Sequence, residues 1–169
     1  AIAAAMSRSK REIPHYYIRA DIDMTAATEW LEQQNRERSV LDRLLLAPLL
    51  LKAVANAAGR VPEMNGFWKD DEYEPSDSVH VGFAVAMKSG GLIAPAIHDA
   101  DRKDVDALMA DVKDVVSRVR SGKLRSSELT DGTITMTSLG EQGVEEVYGV
   151  IYPPQVALVG FGTVTDRPW

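Results

Sequence analysis

Strands are predicted where apolar residues alternate with polar ones or form nearly unbroken runs. Residues 15–24 alternate in this way, and so does the segment Thr133–Ser138, which a glycine-rich bend follows. A period of two residues is typical of a strand with one buried face. Further strands are predicted in a hairpin over 67–74 and in three apolar runs, over 79–87, 92–97 and 155–164.

Helices are predicted where apolar residues recur every three or four positions. Pro48 interrupts one long apolar stretch, and proline is best tolerated at the first position of a helix. The residues before it, Val40–Leu46, are therefore predicted to be extended. Thr25 is expected to cap one helix, and Gly122 is expected to end another. The predicted helices cover residues 2–9, Thr25–Arg38, Pro48–Ala58 and Lys103–Ser121.

This mixture of strands and helices predicts an α/β fold, and composition narrows what it can do. The chain has 169 residues, which suits one domain. It contains no cysteine, which excludes disulfide frameworks, thiolate metal sites and cysteine nucleophiles. A net charge of −6 argues against nucleic-acid binding, and no apolar segment is long enough to cross a membrane. Without cysteine or a targeting segment, the chain is expected to be cytoplasmic.

The histidines offer little evidence for a site. His15, His80 and His98 include no pair at the helical spacing that local zinc motifs use, so no metal site is predicted. A structural or surface role is the more common one for each of them. His98 lies beside Asp99, however, and an enzyme that uses this pair is one hypothesis.

A row of hydroxyl groups is the more informative feature. The predicted strand places Thr133, Thr135 and Thr137 on one face, and Ser138 follows just before the glycine-rich bend. Threonine is a good strand former, so a polar sheet face is one interpretation. The other interpretation is that one of these hydroxyls belongs to a functional site. The residues alone leave both interpretations open.

A series of short segments occurs in a fixed order along nearly the whole chain. Each segment is weak evidence alone, and the specificity lies in their order. The segments are Ile13-Pro14-His15-Tyr16-Tyr17 with Asp21-Ile22-Asp23-Met24, Lys52-Ala53-Val54-Ala55 with Val61-Pro62-Glu63-Met64-Asn65, Val81-Gly82-Phe83-Ala84-Val85 with Gly91-Leu92-Ile93-Ala94-Pro95, Gly122-Lys123-Leu124, Gly132-Thr133-Ile134-Thr135-Met136-Thr137-Ser138-Leu139-Gly140 and Pro153-Pro154-Gln155-Val156-Ala157-Leu158. Together they resemble the catalytic domain of the dihydrolipoamide acyltransferases, the core subunits of 2-oxoacid dehydrogenase complexes.

The resemblance implies a chloramphenicol-acetyltransferase-like fold, in which helices flank a mixed sheet and trimers hold the active site in a channel between subunits. Coenzyme A and a lipoyl group would enter as substrates, so no bound cofactor is expected. A histidine would deprotonate the attacking thiol, and the hydroxyl of Thr137 would stabilise the oxyanion. Ser138 and Gly140 are expected to contact substrate.

The resemblance also implies partners. These would be further copies of the chain, in a trimer and a larger core, together with lipoyl domains and the other subunits of a dehydrogenase complex. Neither nucleic acid nor a membrane is expected among them.

One part of the family pattern is missing. The family's general base lies in a His-x-x-x-Asp-Gly motif downstream of the strand predicted over 155–164, and this chain contains no such motif. The favoured hypothesis is that residues 1–169 form one acyltransferase catalytic domain that is incomplete at its C-terminus. The alternatives are a scaffold or binding subunit of the same fold that has lost catalysis, and the unrelated enzyme built on His98 and Asp99.

Overall fold

Helices lie in both halves of the chain in the computed structural model, which describes residues 2–87 and 90–168. Asp104 caps the longest of them, where its carboxylate accepts a hydrogen bond from the Ala107 N–H (2.8 Å). Gly122 ends that helix in the left-handed conformation (φ 68°), as predicted. No helix of these residues is long and apolar enough to cross a membrane. The α-helices are α1 (Ile2–Glu12), α2 (Thr25–Arg36), α3 (Leu46–Arg60), α4 (Val105–Ser121) and α5 (Ser126–Thr130), and 3₁₀ turns cover Pro62–Met64, Ala100–Arg102 and Gly140–Gln142.

The strands form a mixed four-stranded sheet and two small hairpins. They are β1 (Gly66–Lys69), β2 (Glu72–Pro75), β3 (Val81–Phe83), β4 (Val85–Ala86), β5 (Leu92–Ile93), β6 (Ala96–Ile97), β7 (Ile134–Ser138) and β8 (Leu158–Phe161). The four-stranded sheet has the order β6-β3-β7-β8. Strand β3 is antiparallel to β6 and parallel to β7, and β7 is parallel to β8. The predicted mixed sheet flanked by helices is therefore confirmed.

The hydrophobic core lies between one face of this sheet and the helices α3 and α4. Leu51 from α3, Leu108 from α4 and Met136 from β7 are fully buried there. Successive side chains of a strand point to opposite faces of the sheet. Because Met136 points into the core, the other face of the strand carries the predicted hydroxyl row, which consists of Thr133, Thr135 and Thr137.

Two helices begin differently from the prediction. Helix α2 starts at Thr25 itself, and Asp23 Oδ1 accepts a hydrogen bond from the Thr25 N–H (2.9 Å), so the predicted Thr25 cap is wrong. Helix α3 starts two residues before Pro48, and a turn at 40–42 replaces part of the extended segment predicted for Val40–Leu46. The first four N–H groups of a helix have no partner within it, so the missing N–H of proline costs little in the first turn.

The strand predicted over 15–24 is wrong. Residues 14–24, which we call the N-terminal arm, pair with no strand in the part of the chain that the structure describes. The apolar side of the alternating pattern remains in water, since Ile18 and Ile22 are 82% and 62% exposed. An alternating pattern alone therefore does not provide a neighbouring strand with which to pair.

Two other predicted strands are shorter in the structure. Residues 79–87 divide between β3, which lies in the four-stranded sheet, and β4, which pairs with β5 in a separate hairpin. The predicted turn between β4 and β5 includes Lys88 and Ser89, which lie outside the described residues. Strand β8 covers only the middle of the predicted run 155–164, because Gln155 turns toward β1 and β7 before the strand begins.

Helices α4 and α5 are joined by an ion pair between Arg118 and Glu128. The Arg118 guanidinium also lies 2.8 Å from the carboxylate of Asp114 on its own helix. The Glu128 side chain is only 6% exposed, and the Arg118 side chain is 18% exposed. The hydrogen bond from Arg118 holds the pKa of Glu128 below its ordinary value, although burial acts in the opposite direction.

This ion pair predicts an acid-dependent loss of stability. A carboxyl group with a lowered pKa stabilises the fold above its unfolded pKa of about 4.3, and that contribution is lost as pH falls toward the lowered folded value. Glu128→Gln is therefore expected to reduce the free energy of unfolding by about 2 kcal/mol at pH 7 and by much less at pH 3. Denaturant unfolding at both pH values measures this difference. Glu32→Gln, at an exposed position of α2, is the control, and an equal loss at both pH values would contradict the prediction.

Candidate active site

The three threonine hydroxyls of the row, Thr133 just before β7 and Thr135 and Thr137 within it, have different surroundings. The Thr133 hydroxyl donates to Asn65 Oδ1 (2.6 Å), and the Thr135 hydroxyl donates to Gln155 Oε1 (2.6 Å). Both amide side chains belong to buried residues. Buried polar groups require such partners, so these two hydroxyls hold the fold together. For Thr133 and Thr135, the polar sheet face is the correct interpretation.

The Thr137 hydroxyl differs from the other two. The residue is 9% exposed, and its hydroxyl makes no hydrogen bond to any residue that the structure describes. A hydroxyl group can donate one hydrogen bond and accept two. The last hydroxyl of the row is therefore available to a molecule that reaches it. Its strand, β7, is held on both sides by the neighbouring strands β3 and β8.

Two glycine residues, Gly160 in β8 and Gly162 just after it, allow another segment of the chain to pack closely beside the strand that pairs with Thr137. Thr137 pairs with Gly160, and paired residues of neighbouring strands point to the same face. A Cβ atom on Gly160 would lie 2.5 Å from Val147 Cγ1, and one on Gly162 would overlap the carbonyl oxygen of Glu145. Residues 144–149, which we call the crossing segment, thus lie directly over β8. Only glycine allows this approach, and it places Val147 over Gly160, the residue that pairs with Thr137.

The start of the crossing segment is held by Thr163. Its N–H donates to Val144 O (2.9 Å), and its hydroxyl donates to Gly140 O (2.9 Å) and to Val144 O (3.1 Å). These bonds close the turn that follows β7. The surroundings of Thr137 on the β8 side are therefore fixed by backbone contacts.

Ser138 and Gly140 lie in a cleft on the other side of β7. The cleft has a volume of about 910 Å³ and extends between the N-terminal arm and β8, the edge strand of the sheet. Both residues line it, whereas Thr137 does not. Thr137 points to the opposite face of the strand from Ser138, although Gly160, which pairs with Thr137, also lines the cleft.

Charged side chains surround the mouth of this cleft. Arg19 from the N-terminal arm lies 3.1 Å from Glu146 of the crossing segment and 3.0 Å from Asp21. Arg167 lies 3.8 Å from Glu145. Exposed pairs of this kind contribute little stability, each typically well under 1 kcal/mol. They nevertheless connect the arm to the crossing segment.

The histidines lie elsewhere. His98 Nε2 contacts Asp131 Oδ2 (3.1 Å), and the hydrogen bonds from Thr130 and then His98 lower the pKa of Asp131. The neighbouring His80 accepts the N–H of Asp99 at Nδ1 (3.0 Å). The predicted partner of His98 is therefore wrong, since Asp131 takes the place of Asp99. His80 and His98 form an edge-to-face pair with ring centroids 4.8 Å apart, and a structural role accounts for both.

His15 bonds to the backbone of a distant segment of the chain. His15 Nε2 accepts the Ile151 N–H (3.1 Å), which ties the N-terminal arm to the segment before Pro153. The described residues contain no group of three or more potential metal ligands. The sequence did not indicate that Asn65 and Gln155 would bind hydroxyls of the row, although both residues lie within segments of the family pattern.

The domain has an α/β fold like that of chloramphenicol acetyltransferase. Chloramphenicol acetyltransferase superposes on 97% of this chain with a TM-score of 0.57 at 12% identity, which shows a shared fold. The match to a family model is more specific. The chain belongs to the 2-oxoacid dehydrogenase acyltransferase family, whose catalytic-domain model matches residues 1–169.

Individual relatives agree with this assignment. The chain is 31% identical over 169 residues to the dihydrolipoyllysine-residue acetyltransferase component of the pyruvate dehydrogenase complex of Zymomonas mobilis, covering 99% of this chain and 38% of that protein. It is 30% identical over 170 residues to the lipoamide acyltransferase component of the branched-chain alpha-keto acid dehydrogenase complex of Bacillus subtilis, covering 99% and 40%. The chain thus spans about two-fifths of the length of these relatives.

A solved structure provides the same fold at higher similarity. Dihydrolipoamide acetyltransferase of Azotobacter vinelandii superposes with a TM-score of 0.91 at 27% identity, covering 99% of this chain and 70% of that chain. That structure was used to investigate the role of a serine, a histidine and an asparagine in its catalytic mechanism.

Proposed function

We propose that this chain transfers an acyl group between a dihydrolipoyl thiol and coenzyme A, as part of the core of a 2-oxoacid dehydrogenase complex. The observation that carries the proposal is the Thr137 hydroxyl, which alone in its row has no partner among the described residues. Family membership and the names of the relatives supply the substrate class. Coenzyme A and the lipoyl group act as substrates, so the chemistry needs no bound cofactor.

The proposed reaction exchanges one thioester for another. A base removes the proton from the attacking thiol, and the thiolate adds to the carbonyl carbon of the acyl thioester, forming a new carbon–sulfur bond. The carbonyl oxygen becomes an oxyanion, to which the Thr137 hydroxyl donates a hydrogen bond. The original carbon–sulfur bond then breaks, and the departing thiolate recovers the proton from the base.

The base is proposed to be the histidine of the family's His-x-x-x-Asp-Gly motif. In this chain His80 lies beside Thr133, roughly 13 Å from Thr137 along the strand, and His98 and His15 bond elsewhere. We therefore propose that the base lies outside residues 1–169 and that these residues form an incomplete catalytic domain. The proposed assembly is a trimer within a larger core, with the site in a channel between subunits, visited by lipoyl domains in the cytoplasm.

One assay tests this function. The protein encoded by the complete natural open reading frame is incubated with dihydrolipoamide and with acetyl-, succinyl- or isobutyryl-coenzyme A in turn. Formation of acyl-dihydrolipoamide, detected by mass spectrometry, is the expected result, and the most rapidly used donor identifies the acyl group. A folded, full-length protein that transfers none of the three would contradict the proposal.

A scaffold subunit without catalysis is the second candidate. The two candidates differ in whether the complete protein carries the family's His-x-x-x-Asp-Gly motif, which residues 1–169 do not contain. Sequencing the complete open reading frame and measuring the intact mass of the natural protein distinguish the two. A downstream His-x-x-x-Asp-Gly supports the enzyme, whereas a full-length protein without it supports the scaffold.

A further inference from the structure

We propose that Gln155 is a positioning residue that fixes the register of β8 on β7 and thereby the surroundings of the Thr137 hydroxyl. The effect on catalysis rests on the function proposed above, whereas the effect on register does not. Gln155 is 4% exposed. A buried amide is costly unless its polar atoms are hydrogen-bonded, so its partners show where it is held.

Both ends of the Gln155 amide bind to β7 or to the turn before it. Oε1 accepts the Thr135 hydroxyl (2.6 Å), and Nε2 donates to the carbonyl oxygen of Gly132 (2.9 Å). A Cβ atom on Gly132 would lie 2.9 Å from the same Nε2, so the glycine is what allows this approach. One side chain thus connects Gly132, in the turn before β7, to Thr135, three residues later within the strand.

The backbone of Gln155 is also fixed. Its N–H donates to Tyr152 O (2.9 Å), and the residue forms an isolated antiparallel bridge with Phe67 of β1. Strand β8 begins at Leu158, three residues later. The start of β8 is therefore attached to a residue that is itself attached to β7.

Such an attachment matters because β7 and β8 are parallel. Antiparallel strands receive their register from a short hairpin turn, whereas parallel strands are joined by a long connection that leaves the register open. In the observed register Thr135 pairs with Leu158 and Thr137 pairs with Gly160. The smallest slip that keeps each side chain on its face of the sheet is two residues. In one of the two possible directions, such a slip would pair Leu158 with Thr137. The side chain of Leu158 would then collide with Val147, which lies over Gly160 in the observed register.

Asn65 provides a matched comparison on the same face. Its Oδ1 accepts the Thr133 hydroxyl (2.6 Å), and its Nδ2 donates to Ser76 O and Ser78 O (3.0 Å each). It is as buried as Gln155 and makes more hydrogen bonds. Its partners, however, lie on β7 and in the segment after β2, and none lies on β8. Asn65 therefore stabilises the fold without determining the β7–β8 register.

The test compares Gln155→Met with Asn65→Leu in the full-length protein. Gln155→Met is expected to lower kcat for acyl transfer by about tenfold with KM changed less than twofold, because a small misplacement of the site slows the reaction step. Hydrogen–deuterium exchange at the amides of β8 is expected to accelerate. Asn65→Leu is expected to lower the unfolding temperature at least as much while leaving kcat within twofold. Equal kcat losses in the two variants, or unchanged exchange in β8, would overturn the proposal.

A second pair of variants covers the case in which Gln155→Met does not fold. Thr135→Val keeps the shape of the side chain and removes only the hydroxyl that Gln155 accepts, and Thr133→Val does the same at the Asn65 site. Faster β8 exchange in Thr135→Val alone supports the register role, and equal exchange in both overturns it. If the unmodified protein transfers no acyl group, the proposed function fails, and the exchange measurement still decides the role of Gln155.

Discussion

Thr137→Ala is expected to lower the rate of acyl transfer by about 10²-fold, the usual effect of removing one hydrogen-bond donor from a developing oxyanion. The effect should be on kcat, because the donor strengthens its bond only as negative charge forms on the oxygen. The free energy of unfolding should change little by comparison, since the hydroxyl makes no hydrogen bond within the described residues. Steady-state kinetics of the full-length protein, with unfolding measured in parallel, tests both statements.

Two further variants at this position separate the hydroxyl from the shape of the side chain. Thr137→Ser keeps the donor and is expected to retain activity within a few-fold. Thr137→Val keeps the branched shape, loses the donor and should resemble the alanine variant. A valine variant with normal turnover would remove Thr137 from the mechanism.

Gly162→Ala is expected to give a large combined loss of stability and activity. A Cβ atom there would overlap the backbone carbonyl of Glu145 and lie 3.2 Å from that of Val144. Backbone atoms cannot move aside as a flexible side chain can, so the crossing segment must shift. Overpacking of this kind costs about 1–3 kcal/mol, and the shift would displace Val147 from its place over Gly160, the strand partner of Thr137.

Gly59→Ala is the matched control for this substitution. Gly59 lies within α3, and a Cβ atom there would meet nothing within 4 Å. Alanine is favoured over glycine in a helix, so the free energy of unfolding should rise by roughly 0.5–1 kcal/mol. Thermal unfolding of both variants provides the comparison. A Gly162→Ala protein as stable and as active as the unmodified one would show that the crossing segment does not lie against β8.

The sequence allowed the local features of the candidate site to be predicted because they depend on neighbouring residues. The alternation of β7 correctly placed the hydroxyls of Thr133, Thr135 and Thr137 on one face. The same rule predicted a paired strand in the N-terminal arm and was wrong there, because alternation describes a chain but not its neighbour. The role of Thr137 came from family resemblance alone and stays a prediction.

The contacts that distinguish the three threonines could not be predicted in this way. Asn65 and Thr133 are 68 residues apart, and Gln155 and Thr135 are 20 apart. The sequence does not indicate from which distant hydroxyl an amide side chain will accept a hydrogen bond. The close approach at Gly160 and Gly162 likewise depends on how the crossing segment returns over β8. These features arise from tertiary packing and become visible only in three dimensions.

The most direct test is a structure of the full-length protein with a non-hydrolysable acyl-thioester analogue and coenzyme A bound. The decisive quantity is the distance from Thr137 Oγ1 to the acyl carbonyl oxygen. A distance of about 2.7–3.1 Å is predicted, the range of an oxyanion donor. A carbonyl oxygen held by another donor, with Thr137 Oγ1 beyond hydrogen-bond reach, would contradict the proposed site.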